Sequence, residues 1–205
     1  MAENLWGERR KPRWLVPGVI VGAVIVFVVI PVIVSYNGLV GRRASADRFF
    51  ADLDVQLQRR NDLIPNLVGA VRGELNQEQA VFGELARARQ SYAGASSPAQ
   101  KFDASNQIDA GLGRLLVIVE SYPQLRSSQN IQDLQTQLEG TENRIAQARR
   151  EYNAAVTTYN VSTSRFPRSI VAGLFGFQAR ALFRTTAAAQ QVPPVDLGTT
   201  TTTAR

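Results

Sequence analysis

The sequence predicts an all-α membrane protein, with one N-terminal transmembrane helix followed by an antiparallel four-helix bundle. Three observations carry this. From Trp14 to Val34 no residue is charged, and most are Val, Ile, Phe, Ala or Leu. From there to about Phe166, apolar residues recur at spacings of three and four and nowhere alternate long enough for a strand. Within that stretch, Ile131, Leu134, Leu138, Thr141, Ile145, Ala148, Tyr152, Ala155 and Tyr159 form an a/d seam of alternating three- and four-residue steps.

The apolar run, as a helix, covers about 30 Å, the thickness of a hydrocarbon core. Pro17 falls in its first turn and Pro31 near its far end. Trp14 and Tyr36 stand where interfacial aromatics are expected. Arg9, Arg10, Lys11 and Arg13 would also suit the head of a cleaved signal peptide. The run is longer than such a peptide's apolar region, however, and no small-residue cleavage site follows before Tyr36, so a retained anchor is expected. Four Arg/Lys precede the span and three (Arg42, Arg43, Arg48) follow closely. That excess of one leans towards a cytoplasmic N-terminus and an extracytoplasmic bundle in the cell membrane.

The first bundle helix is expected over Leu39–Arg60, with Ala46, Phe50, Leu53 and Leu57 on one stripe and a direct continuation from the membrane helix allowed. Pro65 disfavours helical geometry at Ile64, which places a turn or kink at residues 61–64. A second helix follows to about Tyr92, buried along Leu67, Val71, Leu75, Phe82 and Leu85. After the small-residue loop at 94–97, Ser97 is a good N-cap and Pro98 a good first residue for the third helix. That helix carries Ile108, Leu112, Leu115 and Val119 and ends near Tyr122-Pro123. Asn130 with Asp133 resembles a cap at the start of the fourth. Neighbouring amphipathic helices can cover the seam, which favours a bundle core over a separate dimeric coiled coil. The expected boundaries are a tail at 1–13, the membrane helix at 14–36, the bundle at 37–166, an amphipathic arm at 167–190 and a disordered, Thr-rich tail at 191–205.

Composition removes several chemistries. The chain has neither cysteine nor histidine, so thiolate chemistry, the commonest general base and the commonest transition-metal ligand are all missing. The formal charge of +6 is unevenly spread. Residues 1–46 hold six basic and two acidic side chains, 47–164 hold twelve and fourteen, and 165–205 hold five and one. The bundle is therefore slightly acidic, which argues against nucleic acid, while basic charge gathers beside the membrane and in the arm. No phosphate-binding loop, dinucleotide turn or nucleophile elbow occurs, and no cofactor or metal site is expected.

Some segments are less generic. Tyr36-Asn37, the run Gln56–Val68 through Arg60, Asp62, Pro65 and Asn66, the turn Glu120-Ser121-Tyr122-Pro123, and the stretch Leu138–Asn153 resemble the LemA family. Tyr159-Asn160, Phe166-Pro167 and Phe175-Gly176-Phe177 extend the likeness, with Ser121 where alanine is usual and Gln77 where histidine is common. The resemblance implies a membrane-anchored, bromodomain-like up-and-down bundle without established enzymatic activity. By family association it also implies membrane-protein partners, such as a membrane zinc protease or a TPM-domain protein.

The candidate structural or partner-binding residues are Arg60, Asp62, Asn66, Glu120, Tyr122, Glu142, Asn143, Arg144, Arg149, Tyr152 and Asn153. Glu142, Ile145, Arg149 and Tyr152 step by three, four and three, which places an acid and a base beside core positions. A register-setting Arg–carboxylate network is therefore expected in preference to a carboxylate-dependent hydrolase site. In the arm, Arg165, Arg168, Phe175, Phe177, Arg180 and Arg184 are candidates for contact with either membrane or bundle. Docking on the bundle is favoured, because Gly176 between two aromatics permits close approach. The expected function is a non-enzymatic structural or adaptor component of the bacterial cell envelope, with a hydrolase or a lipid-sensing surface protein as alternatives.

Overall fold

The structure, a computed structural model, describes residues 15–75 and 78–184. The basic N-terminal tail, Trp14, Gln77, the end of the arm and the Thr-rich tail all lie outside the described residues. The described residues are mostly helical, and none of them forms a strand. The elements are α1 (Leu15–Val24), a π-helical turn (Ile25–Val29), α2 (Ile30–Glu74), α3 (Gln79–Gly94), α4 (Pro98–Ser121), the short α5 (Pro123–Arg126), α6 (Gln129–Ser164) and α7 (Arg168–Phe175). The chain forms two compact units. Among the described residues, one comprises 15–47 with 155–180, and the other 48–75, 78–154 and 181–184.

The first unit holds the apolar helix. From residue 17 to residue 31 its side chains are bare of protein, Phe27 being 79% exposed, as befits a helix whose solvent is lipid rather than a protein core. The π-turn stands just ahead of Pro31. There the Ile30 amide reaches back to the Ile25 carbonyl, the kind of local adjustment by which membrane helices accommodate a proline. Past the span, Val171 and Ala172 of α7 pack on Leu39, with Val32 and Phe177 against them. Tyr36 meets the rings of Phe175 and Phe177 edge-on at 5.0 and 5.6 Å. Gly176, at φ 70°, ends α7 in the left-handed conformation that glycine adopts without strain, and Phe177 N–H closes on Ala172 O at 2.9 Å.

The second unit is the bundle. Asp54 and Asn61 of α2 meet Tyr92 and Arg89 of α3 in reverse order, so those helices run antiparallel. Glu84 pairs with Arg114 and Leu85 faces Gly111, which sets α3 against α4 in the same sense. Phe102 touches Tyr152, while Asp109 and Glu142 share Arg60, so α4 and α6 are antiparallel too. A Cβ on Gly111 would lie 2.7 Å from Leu85 Cδ2, so α3 and α4 approach closely there only because it is absent. Ser97 caps α4 in a full capping box with Gln100, and Pro98 follows as expected. The α6 seam is buried at Ile131, Leu134, Leu138, Thr141, Ile145, Ala148 and Tyr152.

Four expectations need correction. The turn at 61–64 is absent, because α2 passes through Pro65 and ends only at Glu74. A proline inside a helix leaves the carbonyl four residues earlier without its donor, here that of Asn61. Arg89 Nε on α3 supplies the donor at 3.1 Å. The seam continues through the proline as Leu53, Leu57, Arg60, Ile64, Leu67 and Val71, all buried. In consequence the second expected helix is divided between α2 and α3. Asn130 is not a cap either: α6 begins at Gln129, whose side chain bonds Asp133 at 2.8 Å. Ala155 is half-buried, and in the first unit Val156 is the buried residue, because a 3.6-residue helix drifts against a seven-residue repeat.

If Arg89 stands in for the missing amide, Arg89→Met should lower stability by about 1–3 kcal/mol through the unsatisfied Asn61 carbonyl. In a Pro65→Ala background, where an amide is restored, the loss should be much smaller. A double-mutant cycle by thermal unfolding in detergent checks this, and additive effects would contradict it.

Candidate functional site

The seam of α2 carries a charge at its centre. Arg60 occupies a core position between Leu57 and Ile64 and is only 2% exposed. Its Nη1 donates to the Asp109 carboxylate and, at 3.1 Å, to Glu142 Oε2. Its Nη2 donates to Ser105 Oγ at 2.5 Å and approaches Ser105 O at 3.5 Å. Ser105 and Asp109 lie one turn apart on α4 and Glu142 lies on α6, so a single guanidinium joins three helices. Burial leaves no alternative, since a cation removed from water must be paired and hydrogen-bonded. Arg60 Nε and, within about one turn, Gln56 Oε1 and Asn61 Oδ1 find no hydrogen-bond partner among the described residues.

Beside the guanidinium lies a cavity of about 510 Å³, lined by Arg60, Asp109, Leu112, Leu116, Leu138, Glu142 and Arg149 among others. Burial pushes the Asp109 carboxyl above its ordinary value of 3.8; the Arg60 guanidinium opposes this and the Glu142 charge adds to it. A second polar cluster gathers around Asp54, six residues before Arg60 on α2. Tyr92 donates to Asp54 Oδ1 at 2.7 Å, and Lys101 pairs with Asp54 Oδ2 at 2.5 Å. Burial and that acceptor raise the Tyr92 phenol well above its ordinary value, so it stays a neutral donor.

The residues expected to matter are dispersed. Asp62, Asn66, Asn143 and Arg144 are exposed, Asp62 accepting from Gln58 Nε2 at 2.8 Å. Glu120 is exposed and Tyr122 half-buried, its extended backbone ending α4. Glu142 does not pair with Arg149. The seam positions of α6 are Thr141 and Ala148, so each charge flanks the seam rather than sitting in it. Glu142 turns to Arg60, and the half-buried Arg149 lies over the Phe183 ring at 5.7 Å. The buried cation of the network is therefore Arg60.

Tyr152 and Asn153 hold the C-terminal segment. Tyr152 OH donates to Ala181 O at 2.8 Å, and Asn153 exchanges two hydrogen bonds of 2.9 Å with the backbone of Phe183. Phe183 is buried and stacks on Phe102 at 4.4 Å, and Asn106 Nδ2 donates to Arg184 O at 3.2 Å. Within the first unit, Tyr159 and Asn160 hold Gln178 and Arg180 in the same way. Arg180 also pairs with Asp47 at 2.5 Å, Arg168 lies against Gly38, and Arg165 is exposed. Sequence reasoning did not single out Ser105, Asp109 or Phe102, and placed Phe183 only among the apolar residues of the arm. For the clamps a signal existed, a Tyr-Asn pair repeated seven residues apart. For Asp109 there was none, since an acid amid Ile108 and Leu112 looks like any helix-surface charge.

Residues 49–197 match the LemA family, well over half the chain. The chain belongs to the LemA family. Similar proteins include the magnetosome protein MamQ of Magnetospirillum gryphiswaldense, 27% identical over 195 aligned positions, which take in 82% of this chain and 71% of that one. The magnetosome proteins MamQ 1 and MamQ 2 of Paramagnetospirillum magneticum are each 26% identical over 178 positions. This chain spans 65% of their length, and 74% of it is covered. With one described helix long and apolar enough to cross a bilayer, this LemA-family chain is a single-pass membrane protein.

Two outcomes test the Arg60 centre of this LemA-family bundle. Arg60→Met should destabilise it by about 3–5 kcal/mol at neutral pH, because it strands the Asp109 carboxylate. The pH dependence has a definite sign. With the folded-state pKa of Asp109 raised, the native state holds the extra proton between 3.8 and that raised value. Its contribution to stability is thus full below 3.8 and is lost as pH rises through the raised pKa. Asp109→Asn should lack that decline. Unfolding free energies measured against pH should therefore differ in slope between the two proteins across that window, and parallel curves would contradict it.

Proposed function

We propose that this LemA-family protein is a non-enzymatic adaptor of the bacterial cell envelope that presents its bundle to other membrane proteins. The observation that carries this is where the motif residues point. Asn143 and Arg144, from the most family-specific stretch, are exposed and line an open hollow of about 620 Å³ with Asp52, Val55, Gln56, Gln147 and Glu151. Asp62 and Asn66 border a second open hollow with Val55 and Arg59. Such a broad, open surface, with an exposed valine among polar side chains, suits a protein partner better than a small substrate. The acids that could serve a hydrolase, Asp109 and Glu142, are both engaged by Arg60. The MamQ relatives are named for the magnetosome rather than for a reaction. A membrane zinc protease or TPM-domain protein is the partner class that family association favours.

A photo-crosslinking residue at Asn143 or Gln147 of the full-length protein in native membranes should capture a discrete membrane protein. The same residue at exposed Val117 of α4 should not. Arg144→Glu should abolish the adduct without moving the melting temperature. No adduct specific to the Asn143 surface would overturn the reading. The charge lean at the span favours a cytoplasmic N-terminus, so a reporter active only outside the cytoplasm should work when fused after residue 184. Activity of a cytoplasm-only reporter there would reverse the orientation.

A further inference from the structure

Helix α7 has two apolar faces, and the protein covers only one. Val171 and Ala172 are buried on Leu39 beside Val32. On the other side Phe166, just before the helix, and Ile170 and Leu174 within it follow at four-residue intervals, 80%, 57% and 74% exposed. Three large apolar side chains in a row are unusual on a surface that meets water.

What covers them follows from where α7 is seated. Val32 belongs to the apolar run that ends at Val34, and Leu39 stands five residues, about 7.5 Å, beyond it. A helix packed over Val32 and Leu39 therefore lies where hydrocarbon gives way to headgroups, within the zone about 5–10 Å deep that interfacial helices occupy. Tyr36, Phe175 and Phe177 form an aromatic cluster at the same level, as aromatic side chains do at membrane boundaries. Arg42 and Arg180 are engaged by Ser162 and Asp47. Arg43 and Arg165 are exposed and form no ion pair among the described residues.

We propose that Phe166, Ile170 and Leu174 insert into the leaflet from which α2 emerges, with Arg43 and Arg165 meeting the headgroups of anionic phospholipids. The protein then holds the bilayer at two places, the span and α7. The inference rests on the spanning reading of the first helix and is independent of the adaptor role. It also replaces a choice between lipid and bundle for the C-terminal arm with a division: α7 faces lipid, and the residues after Gly176 are held by α6.

The absence of native cysteine permits a direct test. Full-length Leu174→Cys and Ile170→Cys proteins, labelled with an environment-sensitive fluorophore, are reconstituted into phosphatidylglycerol vesicles carrying spin-labelled lipids. Phe27→Cys in the span and Val117→Cys in the bundle serve as references, and circular dichroism verifies each fold. Both α7 probes should lose fluorescence to lipid quenchers about as strongly as Phe27→Cys does, and more to shallow than to deep quenchers. Val117→Cys should respond only to aqueous iodide. Iodide-accessible α7 probes with a lipid-quenched Phe27 probe would overturn the α7 proposal alone. If the Phe27 probe also escapes lipid quenching, the spanning reading falls with it. Quenching at Leu174 should be weaker in phosphatidylcholine, and an Arg43→Ser, Arg165→Ser variant should erase that difference. Equal quenching of the parent in both lipids would refute the anionic-headgroup contact.

Discussion

A guanidinium held out of water sets the terms for the bundle. Arg60 sits in the seam of α2 where an aliphatic residue would normally be, and its burial would be prohibitive without the partners that its two terminal nitrogens find. Those partners come from α4 and α6, so the helices must meet in one rotation and one register for Ser105, Asp109 and Glu142 to reach it. Leucine seams tolerate sliding, because any Leu can fill another's hole at modest expense; a charged fork that must find particular oxygens does not. Asp109 and Glu142 are occupied in neutralising Arg60, while burial works against that neutralisation by raising the Asp109 carboxyl above its ordinary range.

The second constraint is continuity. From Ile30 to Glu74 the backbone is one helix, although it contains Pro65 in its interior and passes from apolar to polar sequence. A helix can absorb a proline where another group takes over the lost hydrogen bond, and Arg89 does so at the Asn61 carbonyl. At Pro31 the helix adjusts within itself through a π-turn. The two solutions suit their surroundings. In the bundle a neighbouring helix is at hand to donate, whereas a lone helix in lipid has only its own backbone to draw on.

The C-terminal segment changes role along its length. Gly176 makes this possible, because its left-handed conformation ends α7 and releases the chain into an extended course. An extended segment carries unpaired amides and carbonyls, and the asparagine side chain, which can both donate and accept, satisfies both from a single residue. Asn153 and Asn160 perform that task for Phe183 and Arg180. Their tyrosine neighbours take further carbonyls while their rings fill the core.

Much of this was legible in the chain. Twenty-one uncharged residues dictate a membrane helix, three- and four-residue spacing dictates amphipathic helices, and Ser97-Pro98 dictates where α4 begins, because each depends on neighbours in sequence. The seam of α6 was readable down to Tyr152 for the same reason. What sequence misplaced depended on distant groups. Pro65 breaks a helix by its local preference, and only Arg89, brought near by packing, offsets that preference. Arg149 and Arg60 look alike as letters on an amphipathic helix. Which one is buried depends on whether it falls in a seam or beside it, and on whether acids from other helices stand opposite. Local periodicity therefore determined that there would be helices and an anchor. Tertiary structure alone decided which charge the core encloses, because a buried charge is tolerated only where partners far apart in sequence converge on it.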